Sequence, residues 1–157
     1  MTRKHSLALL AMAGAALLLP ASGLADTPGR HPRYLRARSD LRTAQLLLAV
    51  REEPNVTRNL RAAEREVEAA IHEVDRAAVL DAKDIDDHPR VDVGLERNAR
   101  FRNIWALLHS AKENLEKEED NPRARAWRNV AFRHIDAAMD FVRRAARDLR
   151  IDRELGF

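Results

Sequence analysis

Apolar residues recur at alternating spacings of three and four along most of the chain after residue 31, which is typical of helices with one buried stripe. The pattern predicts four helices. They extend from about Pro32 to Arg51, Thr57 to Leu80, Leu95 to Glu118 and Arg123 to Arg150. Beyond residue 25 the sequence has no alternating run of β-branched residues, so it predicts no strand there. We therefore expect an all-α fold.

One line of residues on each predicted helix is expected to form the core. Alanines alternate with larger aliphatic residues along these lines, so that small residues allow close approach and large ones fill the facing gaps. The lines include Leu41, Ala44 and Leu48; Leu60, Ala63 and Val67; Ile104, Leu108 and Ala111; and Ile135, Ala138 and Val142.

Breaker and capping residues predict where the helices end. Pro54 is expected to end the first helix, and Asn55 or Thr57 to cap the second. Pro122 suits the first position of the fourth helix, after a cap at Asn121. Residues 81–94 form a longer polar connection rich in turn residues.

The motif Leu-x-x-Ala-x-x-x-Leu occurs at residues 41–48 and again at 108–115. This weak repeat indicates two helical hairpins, neither of which can bury its apolar face alone. We expect residues 26–157 to form an antiparallel, up-down-up-down four-helix bundle. A single long hairpin that dimerises is the alternative, so the sequence leaves a monomer and a homodimer both open.

Residues 1–25 have the features of a secretory signal peptide. A short basic start at Arg3 and Lys4 precedes an apolar run from Ser6 to Leu19, and small residues stand before Asp26. The run is too short for a spanning helix, which needs about 20 residues. We expect cleavage before Asp26, a periplasmic or secreted location and no integral membrane segment afterwards; an uncleaved N-terminal anchor is the alternative.

Charge and composition exclude several classes of protein. The chain has 28 Lys and Arg against 25 Asp and Glu, and only 4% aromatic residues. Because the signs are interspersed and nearly balanced, we expect no nucleic-acid partner. The absence of cysteine excludes disulfides, thiolate metal sites and CxxC redox chemistry. No Gly-rich loop or nucleophile elbow is present, so we predict no catalytic residue and no enzyme.

The histidines are the candidate ligands for a divalent metal ion such as copper, zinc or nickel. His72 and His109 have carboxylates within one helical turn, although charge pairing on an exposed surface explains that spacing equally well. His134 has apolar helical neighbours, so it borders the core and is expected to hydrogen-bond a polar group on another helix. His31 precedes the first helix, and His88 lies in the middle connection. These two histidines are predicted to be neighbours.

The sequence also resembles a known set of proteins. Several short motifs together are similar to small exported bacterial helical proteins of unassigned function. The motifs are His31-Pro32-x-Tyr34-Leu35, Ser39-Asp40-Leu41-Arg42, Asp87-His88-Pro89, Glu118-Glu119-Asp120-Asn121 and His134-Ile135-Asp136. More distantly, the Ala-rich hairpins and the His-Ile-Asp step resemble the small periplasmic metal-binding proteins. That resemblance implies four antiparallel helices and metal ligation by histidine. His134 lies in the matching motif, whereas His31 and His88 belong to the motifs of the first set; these three histidines are the predicted metal ligands.

Two functional hypotheses follow. The first is a non-enzymatic bundle of the cell envelope that binds a divalent metal ion weakly through histidine and carboxylate groups. The second is an envelope interaction or stress adaptor module that binds a protein partner and whose histidines are structural. The second hypothesis predicts an exposed apolar patch near Trp105, Trp127 or Phe157.

Overall fold

The computed structural model describes residues 32–80, 94–117 and 122–157, and these residues are 87% helical with no strand. Five helices pack against one another. They are α1 (Pro32–Leu48), α2 (Pro54–Leu80), α3 (Arg97–Glu116), α4 (Pro122–Asp148) and the short α5 (Asp152–Leu155). The predicted all-α fold is confirmed, and the predicted leader at residues 1–25 lies outside the described residues.

The turn between α1 and α2 differs from the prediction. α1 ends at Leu48, and Pro54 begins α2 instead of ending α1. Proline suits the first helical position because that residue's N–H has no partner within the helix. Thr57 lies inside the first turn, where its hydroxyl donates to the Glu52 carbonyl at 2.7 Å and accepts from the Glu52 N–H at 2.9 Å.

The later helix ends follow local capping. The Glu96 carboxylate caps α3 by accepting from the N–H groups of Asn98 and Ala99 at 2.9 and 3.3 Å. Pro122 occupies the first position of α4 as predicted, whereas its predicted cap, Asn121, lies outside the described residues. The sequence did not predict α5, which follows a reversal at Arg150, a non-glycine residue with φ of 60°.

The predicted apolar lines form the core. Members of all four lines are fully buried in one cluster. Burial of apolar surface stabilises a fold by roughly 25 cal/mol for each Å² removed from water. The fully buried members of these lines include Leu41, Ala44, Leu60, Ala63, Val67, Ile104, Leu108, Ala111, Ile135, Ala138 and Val142.

Within the described residues, no helix combines the length and apolar character needed to cross a bilayer.

The four long helices contact each other in a ring. α1 packs against α2 and α3, and α4 packs against α2 and α3. The pairs α1 with α4 and α2 with α3 have no Cα atoms within 8 Å of each other in the described residues. Helices that are consecutive in the chain, α2 and α3, are therefore diagonal to each other.

Side-chain contacts fix the helix directions. Asp40 on α1 accepts from Ser110 on α3 at 2.8 Å, and Glu52, in the turn just after α1, binds Arg100 near the start of α3. A later position on the α1 side thus meets an earlier position on α3, so these helices are antiparallel. α2 and α4 are antiparallel as well: Asn59 donates to Asp148 at 2.9 Å, and the Arg76 guanidinium lies 4.9 Å from the Trp127 ring centroid.

The predicted up-down-up-down order is therefore wrong. Since α3 and α4 also run in opposite directions, the order is up, down, down, up, and α2 and α3 point the same way. The end of α2 and the start of α3 lie at opposite ends of the molecule. Residues 81–96 separate them, and a chain of that length can reach about 55 Å, more than the roughly 40 Å length of α2. A connection of this length can join α2 to α3 whether these helices run in the same or in opposite directions. The sequence therefore did not determine their relative direction.

Engineered cysteines test this order, because the chain has none of its own. We expect the double variant Asp40→Cys, Ser110→Cys to form a disulfide on mild oxidation, since these side chains touch across α1 and α3. The control is His72→Cys, His109→Cys on α2 and α3, which should stay reduced. Intact-mass measurement detects the bond; a crosslink in the control pair alone would contradict the contact ring.

Candidate functional site

The predicted histidine ligands do not converge in the described part of the chain. His31 and His88 lie outside the described residues. His134 is half-buried on α4, and its Nδ1 lies 2.7 Å from Oε2 of Glu66 on α2. The predicted hydrogen bond from His134 to a polar group on another helix is confirmed, and it supplies two metal-type donors in one place.

The other two described histidines are exposed. His109 Nε2 lies 3.3 Å from Glu113 Oε1. The Glu113 carboxylate also binds Lys117 at 3.2 Å, and chiefly this hydrogen bond and charge lower the pKa of Glu113. Asp75, near His72 in the sequence, binds the buried Arg38 instead. Across residues 32–80, 94–117 and 122–157, no three His, Asp or Glu side chains are grouped to hold a metal ion.

The aromatic residues expected to form an exposed patch pack inward. Trp105 stacks on Phe157 with ring centroids 4.3 Å apart, and the Arg143 guanidinium lies 5.1 Å from the Trp105 ring. Trp127 is half-buried beneath Arg76. Leu46, at 45% exposure, is the one large hydrophobic residue that is exposed in the described ranges. The patch predicted for a protein partner is therefore not found at these aromatic positions.

A half-buried polar cluster joins α1 to α3. The Asp40 carboxylate accepts from the Ser110 hydroxyl at 2.8 Å and from the Asn114 amide at 3.3 Å. Burial raises the pKa of Asp40, and the two hydrogen bonds oppose that rise. With its donors supplied by neighbouring side chains, this cluster holds the helices together.

A buried ion pair lies at the turn between α1 and α2. Glu52 and Arg100 are only 6% and 7% exposed and bind each other directly. Arg97 Nη2 lies 2.8 Å from the second oxygen of the Glu52 carboxylate, and Arg100 Nη1 donates to the Leu95 carbonyl at 3.4 Å. Burial lowers the pKa of Arg100. Both Glu52 oxygens are thus occupied by arginines from the start of α3.

The same turn forms one end of an open groove of about 550 Å³. Four of its lining residues are exposed arginines, and none of their guanidinium groups has an ion pair or hydrogen bond within the described residues. The full lining is Arg51, Glu52, Pro54, Thr57, Arg58, Arg61 and Arg65.

Helix geometry explains why the arginines share this groove. Arg58, Arg61 and Arg65 stand at spacings of three and four, so they project from one face of α2. They cover about 10 Å along the helix axis. Arg51 lies in the turn before α2 and also lines the groove. The start of α2 points its unpaired N–H groups and the positive end of the helix dipole to the same region.

The electrostatic field of the groove is positive. Glu52 is the one acidic residue in its lining, and Arg97 and Arg100 already neutralise that carboxylate. Like charges this close repel one another, and an anion in the groove relieves the repulsion. Guanidinium groups bind phosphate and carboxylate oxygens through paired N–H donors. The arrangement is therefore suited to holding an anion.

Sequence reasoning missed this groove, although a signal for it was present. The spacing of Arg58, Arg61 and Arg65 on one helix face can be read directly from the sequence. The near balance of charges over the whole chain concealed it, because a total charge does not show where the cations cluster. The contribution of Arg51 depends on where α2 begins, which the prediction placed three residues too late.

Comparisons with protein-family models, curated proteins and solved structures found no match to this chain.

Loss of the buried carboxylate tests the role of Glu52. We expect Glu52→Gln to lower the free energy of unfolding by about 3 kcal/mol, because it leaves Arg100 buried without its counter-charge. The neighbouring Glu53→Gln is the matched control, since Glu53 is 52% exposed and bonds Arg97 only at 3.3 Å; its effect should stay below about 0.5 kcal/mol. Urea denaturation followed by circular dichroism measures both, and equal losses would contradict this assignment.

Proposed function

We propose that this protein is a non-enzymatic four-helix bundle of the bacterial cell envelope that binds an anionic ligand in the groove beside α2. The signal-like residues 1–25 support export to the periplasm or beyond. The ring of contacts among the four long helices supports the bundle. The crossing of the chain between α2 and α3 gives it one long connection, as in other bundles with crossover topology.

The observation that carries the proposal is the set of four arginines around one groove, none of which has an ion pair in residues 32–80, 94–117 and 122–157. Elsewhere in the described chain, cations such as Arg38, Lys112 and Arg143 bind acidic side chains at helix contacts or on the surface. The groove arginines have no such partner among the residues that the structure describes, so these donors are available to a ligand.

Binding without reaction fits the lining of the groove. Its two residues with any catalytic potential are already engaged: Glu52 binds two arginines, and the Thr57 hydroxyl is bonded to the Glu52 backbone. The remaining side chains are proline and arginines. They can attract and orient an anion but do not offer a nucleophile or a general base at neutral pH.

A thermal melt with inorganic phosphate tests the proposal. An anion at 100 times its dissociation constant should stabilise the wild-type protein by about 2.7 kcal/mol, and the double variant Arg58→Gln, Arg61→Gln should lose that gain. Arg102→Gln is the control, since Arg102 is exposed on α3 outside the groove. Phosphate also stabilises proteins generally, so an equal gain in all three proteins, or none, would contradict specific binding.

Weak binding of a divalent metal ion is a second candidate, favoured by the 2.7 Å contact between His134 and Glu66. A borderline ion such as Cu²⁺, Zn²⁺ or Ni²⁺ prefers such a nitrogen and oxygen pair over either group alone. Each ion should raise the melting temperature of the wild-type protein, and His134→Gln should abolish the rise. His109→Gln serves as the exposed control; an unchanged wild-type melt would reject this candidate.

A further inference from the structure

We infer, on the basis of the proposed anion-binding function, that the ligand carries two or three phosphate-type groups in line and lies along the arginine stripe of α2. The stripe is the row formed by Arg58, Arg61 and Arg65, with Arg51 at its end. The charge, the length and the limits of this stripe each support a short linear oligoanion over a single phosphate or a long polymer.

The number of arginines exceeds what one phosphate can neutralise. A phosphate group carries about −1.5 to −2 charges at pH 7. Four guanidinium groups face the groove, and the carboxylate of Glu52 is already neutralised by Arg97 and Arg100. A ligand with two or three phosphate-type groups balances this charge, whereas one group leaves about half of it uncompensated.

The stripe is also too long for one compact anion. Arg58 and Arg65 are two helical turns apart, about 10 Å along the axis, whereas a guanidinium nitrogen lies about 2.7–2.9 Å from the anionic oxygen that it binds. One phosphate can bridge neighbouring turns, such as Arg58 with Arg61. Reaching Arg65 at the same time would crowd three positive groups together, so a second phosphate-type group in line is favoured.

An acidic residue limits the stripe at the Arg65 end. Glu68 is exposed one turn beyond Arg65 on the same face of α2. An anion that extends past Arg65 therefore meets negative charge. This limit disfavours long polyanions.

The groove has room for such a ligand. Its volume of about 550 Å³ lies within the range of about 300–1,000 Å³ that is usual for small-molecule sites. The ring of Pro54 and the methyl group of Thr57 add a small apolar wall to the charged one. The phosphate groups can belong to a free oligophosphate or to a lipid headgroup, because the stripe recognises only their shared chemistry.

Isothermal titration at constant ionic strength and pH 7.5 tests the inference. The probes are orthophosphate, pyrophosphate, tripolyphosphate and citrate, the last being a compact trianion. We expect pyrophosphate and tripolyphosphate to bind at least about fivefold more tightly than orthophosphate, the gain from pairing one further exposed arginine. Citrate should bind no better than orthophosphate. Citrate as tight as pyrophosphate would show that charge alone decides and would overturn the inference.

Variants at the stripe locate the second phosphate group. Arg65→Gln should leave orthophosphate binding nearly unchanged but remove the advantage of pyrophosphate, whereas Arg102→Gln should alter neither. Both residues are exposed, so neither variant should disturb folding, and a melt without ligand checks this. If Arg65→Gln leaves the advantage of pyrophosphate intact, the second phosphate does not lie on the stripe and the inference is wrong.

Co-sedimentation with vesicles identifies the source of the phosphates. Cardiolipin vesicles present two phosphates in one headgroup, and phosphatidylcholine vesicles are the neutral control. Binding to cardiolipin that depends on Arg65 places the ligand on a lipid; binding of pyrophosphate without vesicle binding indicates a soluble ligand. If all soluble anions bind equally and the vesicles do not bind, the inference fails and the proposed function stands. If no anion binds in either arm, both fail.

Discussion

The buried pair between Glu52 and Arg100 is the interaction on which the rest of the molecule depends. It fastens the turn between α1 and α2 to the start of α3, and Arg97 binds the same carboxylate. A charge buried this deeply is tolerated only with a partner. Because the partners come from α3, the turn has one position relative to that helix. The start of α2, and with it the arginine groove, is positioned by the same pair.

The pair between Glu52 and Arg100 also affects the charge of the groove, because it neutralises a carboxylate there in a chain whose positive and negative residues nearly balance. Glu52, the one acidic residue in the groove lining, binds Arg97 and Arg100, whereas Arg58, Arg61 and Arg65 have no ion pair within the described residues. Other arginines cover aromatic rings, as Arg76 covers Trp127 and Arg143 covers Trp105. The molecule therefore concentrates positive charge in one groove without a large net charge. A local property of this kind determines what a surface binds, whereas total charge mainly affects solubility and encounter rates.

The helices and the core were predictable because both follow from local periodicity. Leu60, Ile104 and Ile135 were assigned to the core from their spacing, and all three are fully buried. Helix order was not predictable, since it depends on contacts between distant residues, such as Asp40 with Ser110. The start of α2 was misjudged because proline both ends helices and begins them. The spacing of Arg58, Arg61 and Arg65 was visible, but whether these residues were paired required the positions of the other helices.

The most direct test of the account is NMR of the arginine side chains. The Nε–Hε signals of the protein, labelled with ¹⁵N, are recorded while pyrophosphate is added. We expect the signals of Arg51, Arg58, Arg61 and Arg65 to shift together and saturate, while that of the exposed Arg102 stays in place. Uniform small shifts of all exposed arginines, or none at the groove, would contradict the claim that this groove is an anion-binding site.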